Sequence, residues 1–183
     1  TLYTYLVGTL SVSGESDRSA TLDVSTSAPA PTGLRSDSQT TSGMELSWTA
    51  PVIPSGEAVT GYKVYRDDGA GGALDVVAYD SRENTAGFVA TTCSVSGLTG
   101  GLLYTYKVTA LSLAGESDRS VELAQATSSL QVSGVSSSTQ TTDSITLTWS
   151  APSASSVDLE ASGYMVYRND GLSGTEMSTV GYD

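Results

Sequence analysis

Apolar and polar residues alternate along this chain with a period of two, in short runs separated by Gly, Ser and Asp. Residues 42–49 (SGMELSWT) put Met44, Leu46 and Trp48 on one side. Residues 61–66 set Tyr62 and Val64 against Lys63 and Tyr65, and residues 91–95 align Thr91, Cys93 and Val95. Residues 104–110 (YTYKVTA) set Tyr104, Tyr106, Val108 and Ala110 against Thr105, Lys107 and Thr109. Side chains of a strand point alternately to its two faces, so each run predicts a strand with one buried face. DDGAGG at 67–72 predicts a hairpin turn, because Asp and Gly accept the positive φ it requires. Many short strands without a helical stripe predict an all-β, antiparallel sandwich.

The pattern also repeats. GESDRS at 14–19 returns at 115–120, and Trp48 of MELSWTAP returns as Trp149 of ITLTWSAP, both 101 residues on. GYKVYRDDG at 61–69 returns as GYMVYRNDG at 163–171, 102 on, and VAYD at 77–80 as VGYD at 180–183, 103 on. Loop insertions between fixed strands produce such a drift. The reading is a complete unit at 28–127, the C-terminal part of a preceding unit at 1–27 and the N-terminal part of a following unit at 128–183. A window on a longer tandem array is expected, with the partial units completed by further sequence. Strand exchange, 1–27 of one copy completing 128–183 of another, is the alternative. Residues 26–31 (TSAPAP) form the first linker, where two prolines bias Ala28 and Ala30 to extended backbone. Successive units are therefore expected end to end with a narrow range of angles.

Charge narrows the partners. Eight basic against 20 acidic residues give a net charge of −12, with no basic stripe to displace counterions from nucleic acid. No run approaches 18 consecutive apolar residues, so membrane insertion is not expected of this segment. Histidine is absent, which excludes Ser–His and Cys–His nucleophile pairs and histidine-containing metal sites. Cys93, the single cysteine, faces inward on the alternation and reads as packing. Asp67 with Asp68, and Glu116 with Asp118, are carboxylate pairs in turns, where short polar residues belong anyway. Neither catalytic residues nor a cofactor or metal site is expected. Asn84 and Asn169 lack the N-glycosylation context, while Ser/Thr clusters such as 136–142 (SSSTQTT) could carry O-linked glycans.

The order of Pro31-Thr32-Gly33-Leu34, Trp48 with Ala50-Pro51, Gly61-Tyr62-Lys63-Val64 and GLTGGLLYTYKVTALSLAGES at 97–117 resembles the fibronectin type III family over the whole unit. That resemblance implies tandem seven-stranded, immunoglobulin-like sandwiches. Leu46, Trp48, Tyr62, Val64, Val95, Leu98, Tyr104, Tyr106 and Val108 would form the core, and Trp149 that of the next unit. Tyr104 would bond back to nearby backbone as the tyrosine of a corner. Gly100 stands where the family usually has Pro.

Two surface features are candidates for contact. In GESDRS, Gly115 supplies a positive φ and Ser117 or Asp118 closes the turn, leaving Arg18 and Arg119 as possible loop contacts. On the outer face, Lys63, Tyr65, Lys107 and Thr109 correspond to Met165, Tyr167, Leu6 and Gly8 in the flanking parts. Leu6, Met165 and Tyr167 are thus expected to pack on a neighbouring repeat or an identical chain. The main functional expectation is a non-catalytic, extracellular or cell-surface filament, stalk or fibre. The alternatives are a ligand-binding adhesin or receptor ectodomain, and a spacer module of a secreted carbohydrate-active enzyme.

Overall fold

The computed structural model describes residues 2–53, 58–83, 89–152, 161, 163–169 and 178–179. They divide between two units, Thr1–Ser128 and Ser129–Asp183. In the first, β1 (Leu2–Tyr5), β2 (Leu10–Ser11), β3 (Gly14–Glu15) and β4 (Leu22–Ser25) form two small ladders, β1 with β4 and β2 with β3. Next come β5 (Thr32–Gln39), β6 (Gly43–Thr49), β7 (Gly61–Arg66), β8 (Val76–Asp80), β9 (Thr92–Ser96), β10 (Leu103–Ser112), β11 (Gly115–Glu116) and β12 (Leu123–Ala126). Strands β5-β6-β9 make one sheet, and β8-β7-β10 the other, with β11 and β12 both on the far edge of β10. All pairings are antiparallel.

The inward faces of these sheets form the core. Leu46, Tyr62, Val64, Tyr106 and Val108 are almost wholly buried, and Met44, Trp48, Cys93, Val95, Leu98 and Tyr104 are buried with them. Trp48 meets Tyr62 edge to face, with ring centroids 5.2 Å apart. The Thr99 N–H donates to Tyr104 Oη at 3.0 Å, which ties the turn before β10 to the strand itself. Between β7 and β8, Asp67 Oδ1 accepts from the Gly69 N–H, and Asp68 Oδ1 from the N–H groups of Ala70 and Gly72. Gly69 has φ +83°, and a Cβ there would lie 2.7 Å from Tyr104 Cε1, so both backbone and space demand glycine.

The second unit contains β13 (Ser133–Gln140), β14 (Ile145–Ser150), β15 (Tyr167–Arg168) and β16 (Ser178–Thr179). Pairing in the flanking parts copies that of the complete unit. Ser133↔Ser150 through Gln140↔Ile145 repeats Thr32↔Thr49 through Gln39↔Met44 at 101 residues, including both irregularities. Tyr167↔Thr179 repeats Tyr65↔Val77 at 102. Trp149 meets Tyr164 at 5.3 Å, the geometry of Trp48 on Tyr62. Trp149 is partly buried. Residues 170–171 of the repeated turn, and VGYD at 180–183, lie outside the described residues.

Two tyrosines side by side on the core face of β10 should respond oppositely to losing their hydroxyls. Tyr104→Phe leaves the Thr99 N–H without its acceptor and should lower the unfolding free energy by about 1–2 kcal/mol. The Tyr106 hydroxyl is buried with no hydrogen-bond partner among the described residues, so Tyr106→Phe should be neutral or stabilising. Urea unfolding of both variants beside the parent checks the contrast, with Trp48→Ala, expected to cost about 3–5 kcal/mol, as the reference for core loss.

Candidate functional site

The outer face of the β8-β7-β10 sheet carries a hydrogen-bonded cluster centred on Glu116. Its Oε1 accepts from Tyr65 Oη at 2.6 Å and from Thr109 Oγ1 at 2.7 Å, and its Oε2 pairs with Lys63 Nζ at 3.2 Å. Alternation brings the three donors together. Lys63 and Tyr65 share one side of β7, and Thr109 sits opposite Lys63 in the register of β10. Thr109 points away from the core as the sequence indicates, yet it is 1% exposed, a correction to its reading as a surface residue, because Glu116 covers it. Arg119 lies over the Tyr65 ring, 4.3 Å from its centroid. Lys107 pairs with Glu122 at 3.4 Å, and Asp80 accepts from the Arg82 guanidinium. Partial burial pushes the Glu116 carboxyl up, but the bonds from Tyr65, Thr109 and Lys63 outweigh it and leave the group below its ordinary range. Hydrogen bonds from Arg82, against a smaller effect of burial, hold Asp80 below its ordinary range too.

GESDRS acquires a physical explanation here. Gly115 has φ +113° and begins β11. Beyond Glu116 the edge strand leaves the ladder until Leu123, and two serines bridge the gap. Ser117 Oγ accepts from the Ala110 N–H at 2.9 Å, and Ser120 Oγ from the Val108 N–H at 3.0 Å. Each hydroxyl then donates to the carbonyl of the following residue. In the first copy Ser16 and Ser19 make the same bonds to Thr9 and Val7. Glu116, Ser117, Arg119 and Ser120 each have a structural partner. Sequence reasoning missed Glu116 as the hub and the serines as backbone acceptors; the signal was the verbatim repeat of the hexapeptide itself. Arg18, the counterpart of Arg119, lies 3.8 Å from Glu15 and is largely exposed.

The remaining candidates separate clearly. Cys93, on β9 opposite Leu46 of β6, is buried in the core, and burial, reinforced by the Glu45 charge, pushes its thiol up to about 12. At neutral pH it is an un-ionised thiol and a poor nucleophile. Leu6, Met165 and Tyr167 are exposed at 46%, 63% and 52%. Tyr167 Oη reaches Met165 Sδ at 3.7 Å, so these two lie together, while Leu6 belongs to the other unit.

The family model for the fibronectin type III domain matches residues 29–126. The chain belongs to the fibronectin type III family. The matched span contains the whole sandwich and the Glu116 face. Among known proteins, chitinase A1 of Niallia circulans is 32% identical over 86% of this chain and 21% of its own length. Exoglucanase B of Cellulomonas fimi is 32% identical over 83% of this chain and 13% of its own length. The chain thus spans about a fifth or less of the length of the curated relatives it matches. A crystal structure of domains from titin shares the fold, with a TM-score of 0.50, 21% identity and coverage of 61% of this chain and 36% of that one.

The lowered acidity of Glu116 gives this fibronectin type III face a pH dependence of defined sign. A carboxyl whose folded value lies below its unfolded one stabilises the fold above the unfolded value, near pH ~4.3. That stabilisation is lost as the pH falls through the folded value. With the side chain 32% exposed, the effect is expected to be no more than about 1 kcal/mol. Glu116→Gln should therefore be less stable than the parent at pH 7, and the difference should shrink on acidification below pH ~4.3. Urea midpoints of both proteins from pH 7 downward check this; a gap independent of pH would mean that the charge has no role.

Proposed function

We propose that this chain is a non-catalytic spacer module of an extracellular, polysaccharide-degrading enzyme. The observation that carries the proposal is its similarity, along most of its length, to minor portions of two enzymes named for the polymers they act on, chitin and a glucan. Such polymers are too large to enter a cell, so a module working beside an enzyme that degrades them works outside it. The chemistry of the chain supports the non-catalytic part. Its cysteine is an un-ionised, buried thiol, and the three carboxyls with lowered values, Asp68, Asp80 and Glu116, are ionised and bonded to neighbours at neutral pH, which unfits them as general acids. The filament expectation rests on the repeat, the lack of catalytic groups and the acidity, whereas the relatives favour the spacer.

Incubating the chain with colloidal chitin and with microcrystalline cellulose tests the proposal. A spacer releases no soluble sugar from either polymer and stays in the supernatant like an albumin control. Sugar release would show a catalytic module, and depletion onto either polymer would show a carbohydrate-binding one; both results reject the proposal.

A further inference from the structure

We propose that Thr127 and Ser128 form a latch just past the last strand of the complete unit, tying the outgoing chain to both sheets so that β12 leaves β10 only when the whole sandwich unfolds. Strand β12 needs such a hold. It is four residues long and pairs with β10 alone. Short edge strands open locally at a small fraction of the global free energy unless their ends are tied. Opening β12 would also bare the edge of β10 between Leu103 and Tyr106, and unpaired backbone of that kind invites another strand.

The two residues after β12 supply the hold. Thr127 is buried, and its hydroxyl works in both directions: Oγ1 accepts from the Leu102 N–H at 3.1 Å and donates to the Thr99 C=O at 2.7 Å. The Thr127 N–H donates to the Leu102 C=O at 3.0 Å. Ser128 then crosses to the other sheet. Its N–H donates to the Thr40 C=O at 3.0 Å and its Oγ to the Gln39 C=O at 3.1 Å, where β5 ends. Its own C=O accepts from the Gly101 N–H at 3.0 Å. The two turns that receive these bonds are themselves joined, because the Leu98 N–H donates to the Ser42 C=O at 3.0 Å.

Three features make this a latch. It spans the sandwich: β12 belongs to the sheet of β10, whereas Gln39 ends a strand of the β5-β6-β9 sheet. Releasing Ala126 from Leu103 therefore requires bonds to break at two turns together. A partial opening is also costly, since withdrawing the Thr127 hydroxyl leaves the buried Leu102 N–H without its acceptor. The pair recurs, as well. Thr26-Ser27 stands 101 residues earlier, although its neighbours differ, Ser25 for Ala126 and Ala28 for Ser129. The first unit accordingly ends at Ser128 and not at the last residue of β12. This proposal does not rest on the spacer reading.

Amide hydrogen exchange of the 183-residue chain, followed residue by residue by NMR, tests it. The Trp48 N–H, bonded to the Thr91 C=O in the core, is the reference for global opening. In the parent, the Gly101 and Ser128 amides should be protected to within about tenfold of Trp48. Exchange at those two amides near the rate of an unstructured peptide, with Trp48 protected, overturns the proposal. Thr127→Val keeps the shape and removes the hydroxyl. It should speed exchange at Gly101, Thr127 and Ser128 by about tenfold or more relative to Trp48, as expected for one lost hydrogen bond. Thr127→Ser, which keeps the hydroxyl, should restore the parent pattern. Ser128→Ala, a milder change at a partly exposed position, should show the same local acceleration and decides the matter if Thr127→Val does not fold. Acceleration that is equal at Trp48 and at the junction, or none in either variant, would show that the two hydroxyls hold no latch.

Discussion

Strand β10 must satisfy its backbone groups on two edges while its inward side chains fill the space between two sheets, and the rest of the unit is arranged around that requirement. On one edge it pairs with β7 over six residues, and on the other with β11 and β12. Its core face supplies Tyr104, Tyr106, Val108 and Ala110, all buried, opposite the apolar face of the β5-β6-β9 sheet. A buried N–H or C=O without a partner costs about as much as a lost hydrogen bond, so a strand buried at the centre of a sheet needs both edges met.

The far edge of β10 presents the same requirement in a different form. Strand β11 leaves the ladder after Glu116, and β12 rejoins it at Leu123. Two N–H groups in between, those of Val108 and Ala110, would otherwise have only the carbonyl side of the ladder. Ser117 and Ser120 place hydroxyl oxygens there as acceptors, while their own N–H groups donate to the carbonyls of Ala110 and Val108. The detour also frees Glu116 and Arg119 to reach across the outer face to β7. Closing the edge and locking the face are thus done by alternate residues of one hexapeptide. This explains why GESDRS recurs without a change when the residues around it vary.

The fold was largely legible because its signals are local and periodic. Met44, Leu46 and Trp48, or Tyr104, Tyr106 and Val108, declare their face by position alone, and the two-sheet arrangement follows from burying such faces. Pairing irregularities were not legible: the two in β5-β6 became visible only when the structure repeated them in β13-β14 at the same spacing. The Glu116 cluster was not legible either. Its donors come from residues 51 and 53 positions away in sequence as well as from Thr109, so their meeting depends on the β7-β10 register, which alternation does not specify. Thr109 shows the limit of the pattern in a single residue. Alternation gave its direction correctly, but burial depended on a carboxylate arriving from a neighbouring strand.

The charge balance can now be read residue by residue. Of the eight basic residues, Arg18, Arg35, Lys63, Arg82 and Lys107 pair with acids. Arg66 and Arg119 lie over tyrosine rings, at 5.3 Å and 4.3 Å from the centroids. The positive charge is therefore largely committed within the chain, and the excess of 20 acids over 8 bases gives the molecule a net negative surface charge. A surface of that kind repels polyanions and other copies of itself at long range. Attraction between such copies must then come from apolar contact at short range rather than from complementary charge.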